Sequence, residues 1–254
     1  MTRRASRSLT VLKVGGDLVS GSDLETAVLD RAAAAWDEGE ELLLVHGGGS
    51  ELSRWLARLG IESRFVGGQR VTTSDALPVA LMVLGGLINR RIVEGLVKRG
   101  CPAVGLTGAD GCGTLAVPID DPPLGAVGRV VSVNAPFYRD LIDARRVPVI
   151  ASLSYCAGRG WLNVNADLMA ASLAAGLKAR RLLLMTGVSG VLAGDGRMYA
   201  ELTLVEIGRL LDERVATEGM IPKLEACRAA LRARVPEVRI LGPDGHGGGT
   251  RCTL

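Results

Sequence analysis

The apolar positions of this 254-residue chain fall into short unbroken runs that alternate with longer, one-sided patterns. Leu42-Leu43-Leu44-Val45 is a run of four, as in a strand buried on both faces. Three glycines follow at 47–49, and from Glu51 the spacing turns helical, with Leu52, Trp55, Leu56 and Leu59 on one side. A strand that breaks into glycines and re-forms as a helix leaves backbone N–H groups bare at a helix N-terminus, where anions bind well. Glycine has no Cβ, so a ligand can approach that backbone closely. The same run also suits a tight turn with no ligand, so its meaning depends on the other patterns.

Those patterns repeat the theme. Thr10-Val11-Leu12-Lys13-Val14 reads as a first strand ending in Gly15-Gly16. A lysine inside a short apolar strand is costly unless it has an anionic partner. Ser22 and Glu25 have capping-box spacing at the start of a helix that runs through Trp36 and stops at Gly39. Residues 64–72 read as an extended segment or hairpin. Thr73 caps a long helical pattern over 74–99, in which Gly85-Gly86 marks a kink or a close packing contact. A strand at 103–106 leads to the turn Gly108-Ala109-Asp110-Gly111, and residues 112–133 suggest a β-rich excursion. A helix near 135–143 and a strand at 147–151 follow. Asn165 caps a small-residue helix that ends near Leu177. A strand at 182–185 ends in Thr186-Gly187-Val188-Ser189-Gly190. Thr203 and Glu206 form a second capping-box pattern, and Pro222 sits at the start of the last helix. Strands at 238–241 and at the C-terminus close the chain. Alternating buried strands and helices predict a largely parallel sheet covered on both faces. Ligands bind such sheets at the carboxyl ends of the strands. The glycine turns at 15–16, 47–49, 108–111 and 187–190 all fall at predicted strand ends, hence on one edge.

Composition narrows the chemistry. Aromatics are 3% of a chain that is 48% hydrophobic, so the core is aliphatic. A net charge of +3 with both signs interspersed argues against a nucleic-acid surface. No apolar run reaches membrane-spanning length and the basic N-terminus lacks a long apolar stretch, so a cytoplasmic protein is expected. Five cysteines without a CxxC pair read as small buried hydrophobes. The P-loop pattern, an intact GxGxxG after the first strand and a GxSxG elbow are all missing. With two histidines there is little material for a triad or metal site, and His46, at a strand end, reads as structural. Lys13, Asp167 and Lys223 remain. Glycines, lysines and one acid suit phosphoryl transfer, in which a protein mainly positions groups and neutralises charge.

Five motifs occur in order: Lys13-Val14-Gly15-Gly16; Val45-His46-Gly47-Gly48-Gly49; Gly68-Gln69-Arg70-Val71-Thr72; Asn163-Val164-Asn165-Ala166-Asp167; and Gly219-Met220-Ile221-Pro222-Lys223. Together they resemble the acetylglutamate kinases of the amino-acid kinase family, over residues 10–254. The resemblance implies an α/β fold, specifically a three-layer αβα sandwich, in a homodimer. It implies a substrate-binding half at 9–160 and an ATP-binding half at 161–254. The reaction implied is transfer of the γ-phosphoryl of ATP to the side-chain carboxylate of N-acetyl-L-glutamate, an arginine-biosynthesis step that yields an acyl phosphate. Mg2+ would be held mainly through the ATP phosphates, so no protein ligand is named. Arginine-inhibited members carry an extra N-terminal helix, and the short stretch before the first strand here resembles the insensitive, dimeric type.

Carried over by position, Lys13, Lys223 and Asp167 would be catalytic. Gly15 and Gly16 would bind phosphate. Gly47, Gly48, Arg70 and Asn163 would bind substrate. Thr186, Gly187, Val188, Ser189, Gly190, Gly219 and Met220 would bind the nucleotide. Gly187 departs from the pattern, because aspartate is usual there; a turn needing positive φ would explain the glycine and make substitution costly. Gln69 replaces a usual leucine and bears on the acyl group accepted. Two other readings stay open: a kinase for another acylated acidic amino acid, such as carrier-bound aminoadipate, and a non-catalytic ligand sensor. Retention of both lysines and Asp167 weighs against the sensor.

Overall fold

The computed structural model describes residues 8–16, 23–120, 123–194, 196–213, 219–242 and 248–254. The chain begins with β1 (Leu9–Val14), α1 (Asp23–Asp37), β2 (Glu41–His46) and α2 (Gly49–Arg58). Strands β3 (Phe65–Val66) and β4 (Gln69–Arg70) form a hairpin that turns at Gly67 and Gly68. Both glycines have positive φ, as this two-residue hairpin turn requires. Next come α3 (Ala76–Ala80), a π-helical stretch (Leu81–Ile88) and α4 (Asn89–Val97), in one unbroken rod. Then follow β5 (Ala103–Thr107), β6 (Thr114–Pro118), β7 (Val127–Val133), α5 (Ala135–Asp143), β8 (Val147–Ala151), β9 (Leu153–Cys156) and β10 (Gly160–Val164). The C-terminal part holds α6 (Ala166–Gly176), β11 (Arg181–Met185), β12 (Glu201–Thr203), α7 (Leu204–Asp212), α8 (Ile221–Arg232), β13 (Glu237–Leu241) and β14 (Thr250–Thr253).

Among the described residues, eight strands form one sheet in the order β12-β14-β13-β11-β1-β2-β8-β5. Neighbours are parallel except β13 with β14. Alternate residues feed two cores. Val11, Leu43 and Val45 pack with Tyr138, Met169 and Leu224 on the side of α5, α6 and α8. Leu12, Leu42 and Leu44 pack with Val28, Leu56 and Ile92 on the side of α1, α2 and α4. Helices thus cover both faces, as the uninterrupted apolar strands predict. Strands β6, β7, β9 and β10 close into a small barrel. The pattern did not reveal β9 and β10, whose polar residues Ser154 and Asn163 find hydrogen-bond partners in neighbouring strands and loops.

The helix starts follow their local chemistry. Thr73 Oγ1 accepts from Ala76 N–H, and Asn165 Oδ1 accepts from the N–H groups of Asp167 and Leu168. Thr203 and Glu206 form the reciprocal capping box. Ser22, and with it the expected capping box to Glu25, lies outside the described residues. Gly85-Gly86 neither ends nor interrupts the helix, contrary to expectation. A Cβ on Gly85 would meet Thr107 and Leu153 at ordinary contact distance, and one on Gly86 would meet nothing within 4 Å. The helix instead loosens to π-type i→i+5 bonding, which absorbs extra residues without a break. This rod is long and apolar enough to cross a membrane by length and composition alone. Here Val83, Leu84, Ile88, Ile92 and Leu96 lie in the core.

Candidate active site

Alternation along β1 decides where Lys13 points. Lys13 shares a face with Val11, the face covered by α6, and is 4% exposed. Helix α6 begins at Ala166 under its Asn165 cap, which leaves Asp167 in the first turn. Lys13 Nζ lies 2.9 Å from Asp167 Oδ1. From α8, Lys223 Nζ lies 3.6 Å from Asp167 Oδ2 and donates to the Gly219 carbonyl at 3.0 Å. One buried carboxylate therefore lies between two ammonium groups brought in by separate elements. Burial alone would raise the Asp167 carboxyl pKa; Lys13 and Lys223 outweigh it and hold the carboxyl below its ordinary range.

The glycine turns complete the enclosure. Because β1 and β2 are adjacent and parallel, with Val14 opposite His46, their C-terminal turns touch. A Cβ on Gly16 would stand 2.6 Å from Gly49 N, and one on Gly48 would collide with Ile88 Cδ1 and Leu84 Cδ2. Only bare backbone fits there, as close approach to an anion needs. A cleft of about 160 Å³ lies between these turns and α6, lined by Lys13, Gly16, Gly48, Arg70, Asn163 and Asp167. Gly47 also lines it, whereas Gly15 is buried directly behind Gly16. Arg70, 7% exposed, donates to the Gly49 carbonyl, Ser53 Oγ and Ser63 Oγ, and its guanidinium stacks on Phe65 at 4.5 Å. Asn163 Nδ2 donates to Thr72 Oγ1 at 3.0 Å. The supporting roles of Ser53 and Ser63 carry no sequence signal, because each is a lone hydroxyl; Thr72 closes the Gly68–Thr72 motif, but its partner Asn163 is far along the chain.

The profile of the Amino acid kinase family matches residues 8–242 of this chain. The chain belongs to the amino acid kinase family. Among its relatives in that family, acetylglutamate kinase of Koribacter versatilis (strain Ellin345) is 42% identical over 233 residues, 91% of this chain and 89% of that one. Acetylglutamate kinase of Geobacillus sp. (strain WCH70) is 40% identical over 231 residues, 91% and 89% of the two chains. The crystal structure of smu.665 from Streptococcus mutans UA159 superimposes with a TM-score of 0.87 at 29% identity, over 96% of this chain and 98% of that one.

In this amino acid kinase the turn after β11 lies on the same edge of the sheet as the glycine turns after β1 and β2. Thr186 is half-buried and its N–H donates to the Leu241 carbonyl, while Gly187, Val188 and Ser189 are exposed. Gly190 has no room for a side chain beside Thr250 and Met198. Gly219 and Met220 stand at the head of α8, next to Lys223. The structure corrects one expectation here. Gly187 is not at positive φ, and a Cβ on it would meet no atom within 4 Å. An aspartate therefore fits without strain, so Gly187→Asp is expected to change stability by less than about 0.5 kcal/mol. Thermal melting of the variant checks this. Among the described residues, no group of three or more His, Cys, Asp or Glu side chains could hold a metal ion.

Proposed function

We propose that this amino acid kinase transfers the γ-phosphoryl group of ATP to the side-chain carboxylate of N-acetyl-L-glutamate, giving an acyl phosphate, as a step of arginine biosynthesis. The observation that carries the reading is Asp167 held between Lys13 and Lys223 beside a glycine cradle, in a chain about 40% identical to acetylglutamate kinases. The acceptor carboxylate is already ionised at neutral pH, so no general base is needed. The difficulty is charge, because an anion attacks a polyanion. Lys13 and Lys223 neutralise the transferring group from two sides, and Asp167 fixes both ammonium groups. Gly16 and Gly48, where no side chain fits, and Gly47 beside them offer N–H donors, which suits phosphoryl oxygens. Mg2+, carried on the ATP phosphates, would add further charge neutralisation.

Arg70 takes the substrate α-carboxylate and Asn163 its polar backbone, within the 9–160 half and at its border with the 161–254 half. The turn at 186–190, with Gly219 and Met220, takes the nucleotide, and the Thr186 or Ser189 hydroxyl serves where the usual aspartate is replaced by Gly187. The enzyme works as a homodimer, for which exposed Met82, Leu87 and Val97 on the long helix offer an apolar face. Five unpaired cysteines suit a reducing, cytoplasmic setting.

ADP release measured with N-acetyl-L-glutamate, free glutamate, N-acetyl-aspartate and acylated aminoadipate tests the proposal. The highest kcat/KM is expected for N-acetyl-L-glutamate. A preference for acylated aminoadipate would transfer the enzyme to that substrate class, and turnover with none of them would favour a ligand sensor. In the same assay, Arg70→Lys is expected to raise KM for N-acetyl-L-glutamate about ten- to a hundred-fold. This is the loss of a charge-assisted contact worth roughly 1.5–3 kcal/mol. KM for ATP should stay unchanged; a rise there instead would reverse the assignment of the two halves.

A further inference from the structure

We propose that His46 is a positioning residue: its imidazole holds the Gly47 carbonyl so that the N–H of Gly48 is turned toward the cleft. This inference rests on the phosphoryl-transfer reading for its purpose and on the geometry for its substance. His46 ends β2 and is fully buried. Its Nδ1 lies 3.0 Å from the Gly47 carbonyl oxygen, and its Nε2 lies 3.0 Å from Asn89 Nδ2. A carbonyl can only accept, so Nδ1 carries the proton. Nε2 then has the lone pair and accepts from Asn89.

The orientation of Asn89 is fixed independently. Its Nδ2 also faces the Val149 carbonyl at 2.9 Å and the Leu106 carbonyl at 3.3 Å, while its Oδ1 accepts from Arg90 Nη2. Gly105 makes space for that pair, since a Cβ there would collide with Asn89 Oδ1 and Arg90 Nη2. The result is a directed chain from Arg90 through Asn89 and His46 to Gly47, in which each donor meets an acceptor. Burial, with a smaller contribution from Arg90 and against the raising effect of the Gly47 bond, brings the His46 pKa down to about 4. The ring is neutral near pH 7, and its two hydrogen bonds select the tautomer.

The reason for such a hold lies in the sequence. Three consecutive glycines give the loop the greatest freedom to rotate its peptide planes. In a trans peptide the C=O and the following N–H point in opposite directions. Holding the Gly47 carbonyl against the imidazole therefore sends the Gly48 N–H the other way, and Gly48 lines the cleft beside Lys13. His46 touches no reacting atom; it acts through the peptide it holds.

The experiment compares His46→Gln with His46→Asn. The asparagine amide reaches the position of Nδ1 and can still donate to Gly47, whereas the glutamine amide reaches the position of Nε2. His46→Gln is expected to lower kcat about ten- to a hundred-fold with both KM values within about twofold, because one aligned N–H acts on the developing charge. His46→Asn should recover most of that loss. Equal kcat in the two variants would overturn the proposal, as would losses that track melting temperature alone. Nitrogen NMR of the wild-type imidazole gives an activity-independent reading. An Nδ1-protonated neutral ring from about pH 6 to 8 is expected; an Nε2-protonated or charged ring would overturn the proposal even if the substrate assignment stands.

Discussion

Lys13→Ala is expected to lower kcat by about 10²–10³-fold, as removal of one preorganised donor to developing charge does. Lys13 is nearly sealed from water in the middle of the sheet, so no solvent dipole takes its place. Lys223→Ala should act in the same direction. Its side chain is 14% exposed, so water can compensate in part and the loss should be smaller. Both variants keep an ion pair at Asp167, so each should fold, with thermal melting as the check. Steady-state kinetics at saturating ATP and acceptor read the effect. Near-normal turnover by either variant removes that lysine from the mechanism.

Asp167→Asn should affect stability and catalysis together. The substitution keeps the shape and removes the negative charge that faces buried Lys13 and partly exposed Lys223. Breaking a buried pair in this way costs about 3–5 kcal/mol, on the order of 10 °C in Tm for a chain of this size. The sign with pH follows from the depressed carboxyl pKa. Its stabilisation is complete above the unfolded-state value of about 3.9 and is lost as pH falls through the lower folded-state value. The Tm gap between wild type and Asp167→Asn should therefore be widest near neutral pH and close below about pH 4. A gap that stays constant down to pH 3 would mean that Asp167 is not held ionised by the lysines.

The parts of this protein legible in its sequence are those in which chemistry and position coincide along the chain. Asn165 and Thr203 announce helix starts because a cap acts on backbone two or three residues away. Lys13 is conspicuous because an apolar strand has no use for a charge without a partner, and Asp167 supplies it. The π-helical stretch was hidden, since a change from i→i+4 to i→i+5 bonding leaves the apolar stripe nearly intact. Strands β9 and β10 were hidden because polar residues in a closed barrel can be satisfied by partners from elsewhere in the chain. Gly187 misled in a different way: glycine permits positive φ, but its presence does not require it. The partners of Arg70, and the Asn89 that meets His46, come from other elements and depend on tertiary structure, which one-dimensional spacing does not carry.

The placement of β1 has a consequence for how this protein is made. The strand emerges before the other described strands, yet it lies inside the sheet, with Thr10 paired to Leu42 on one side and Arg181 on the other. Its first neighbour follows soon, but the second cannot arrive until most of the chain exists. Closing so long a loop costs entropy before any pairing compensates it, which slows folding. Until then the nascent chain carries an apolar strand with a bare hydrogen-bonding edge, the kind of surface that recruits other chains. The lysine in that strand waits as well, because its carboxylate belongs to the helix just before β11 and its companion lysine to the last helix. No nascent chain that stops short of Lys223 holds all three charges, so the reaction centre is assembled late in synthesis.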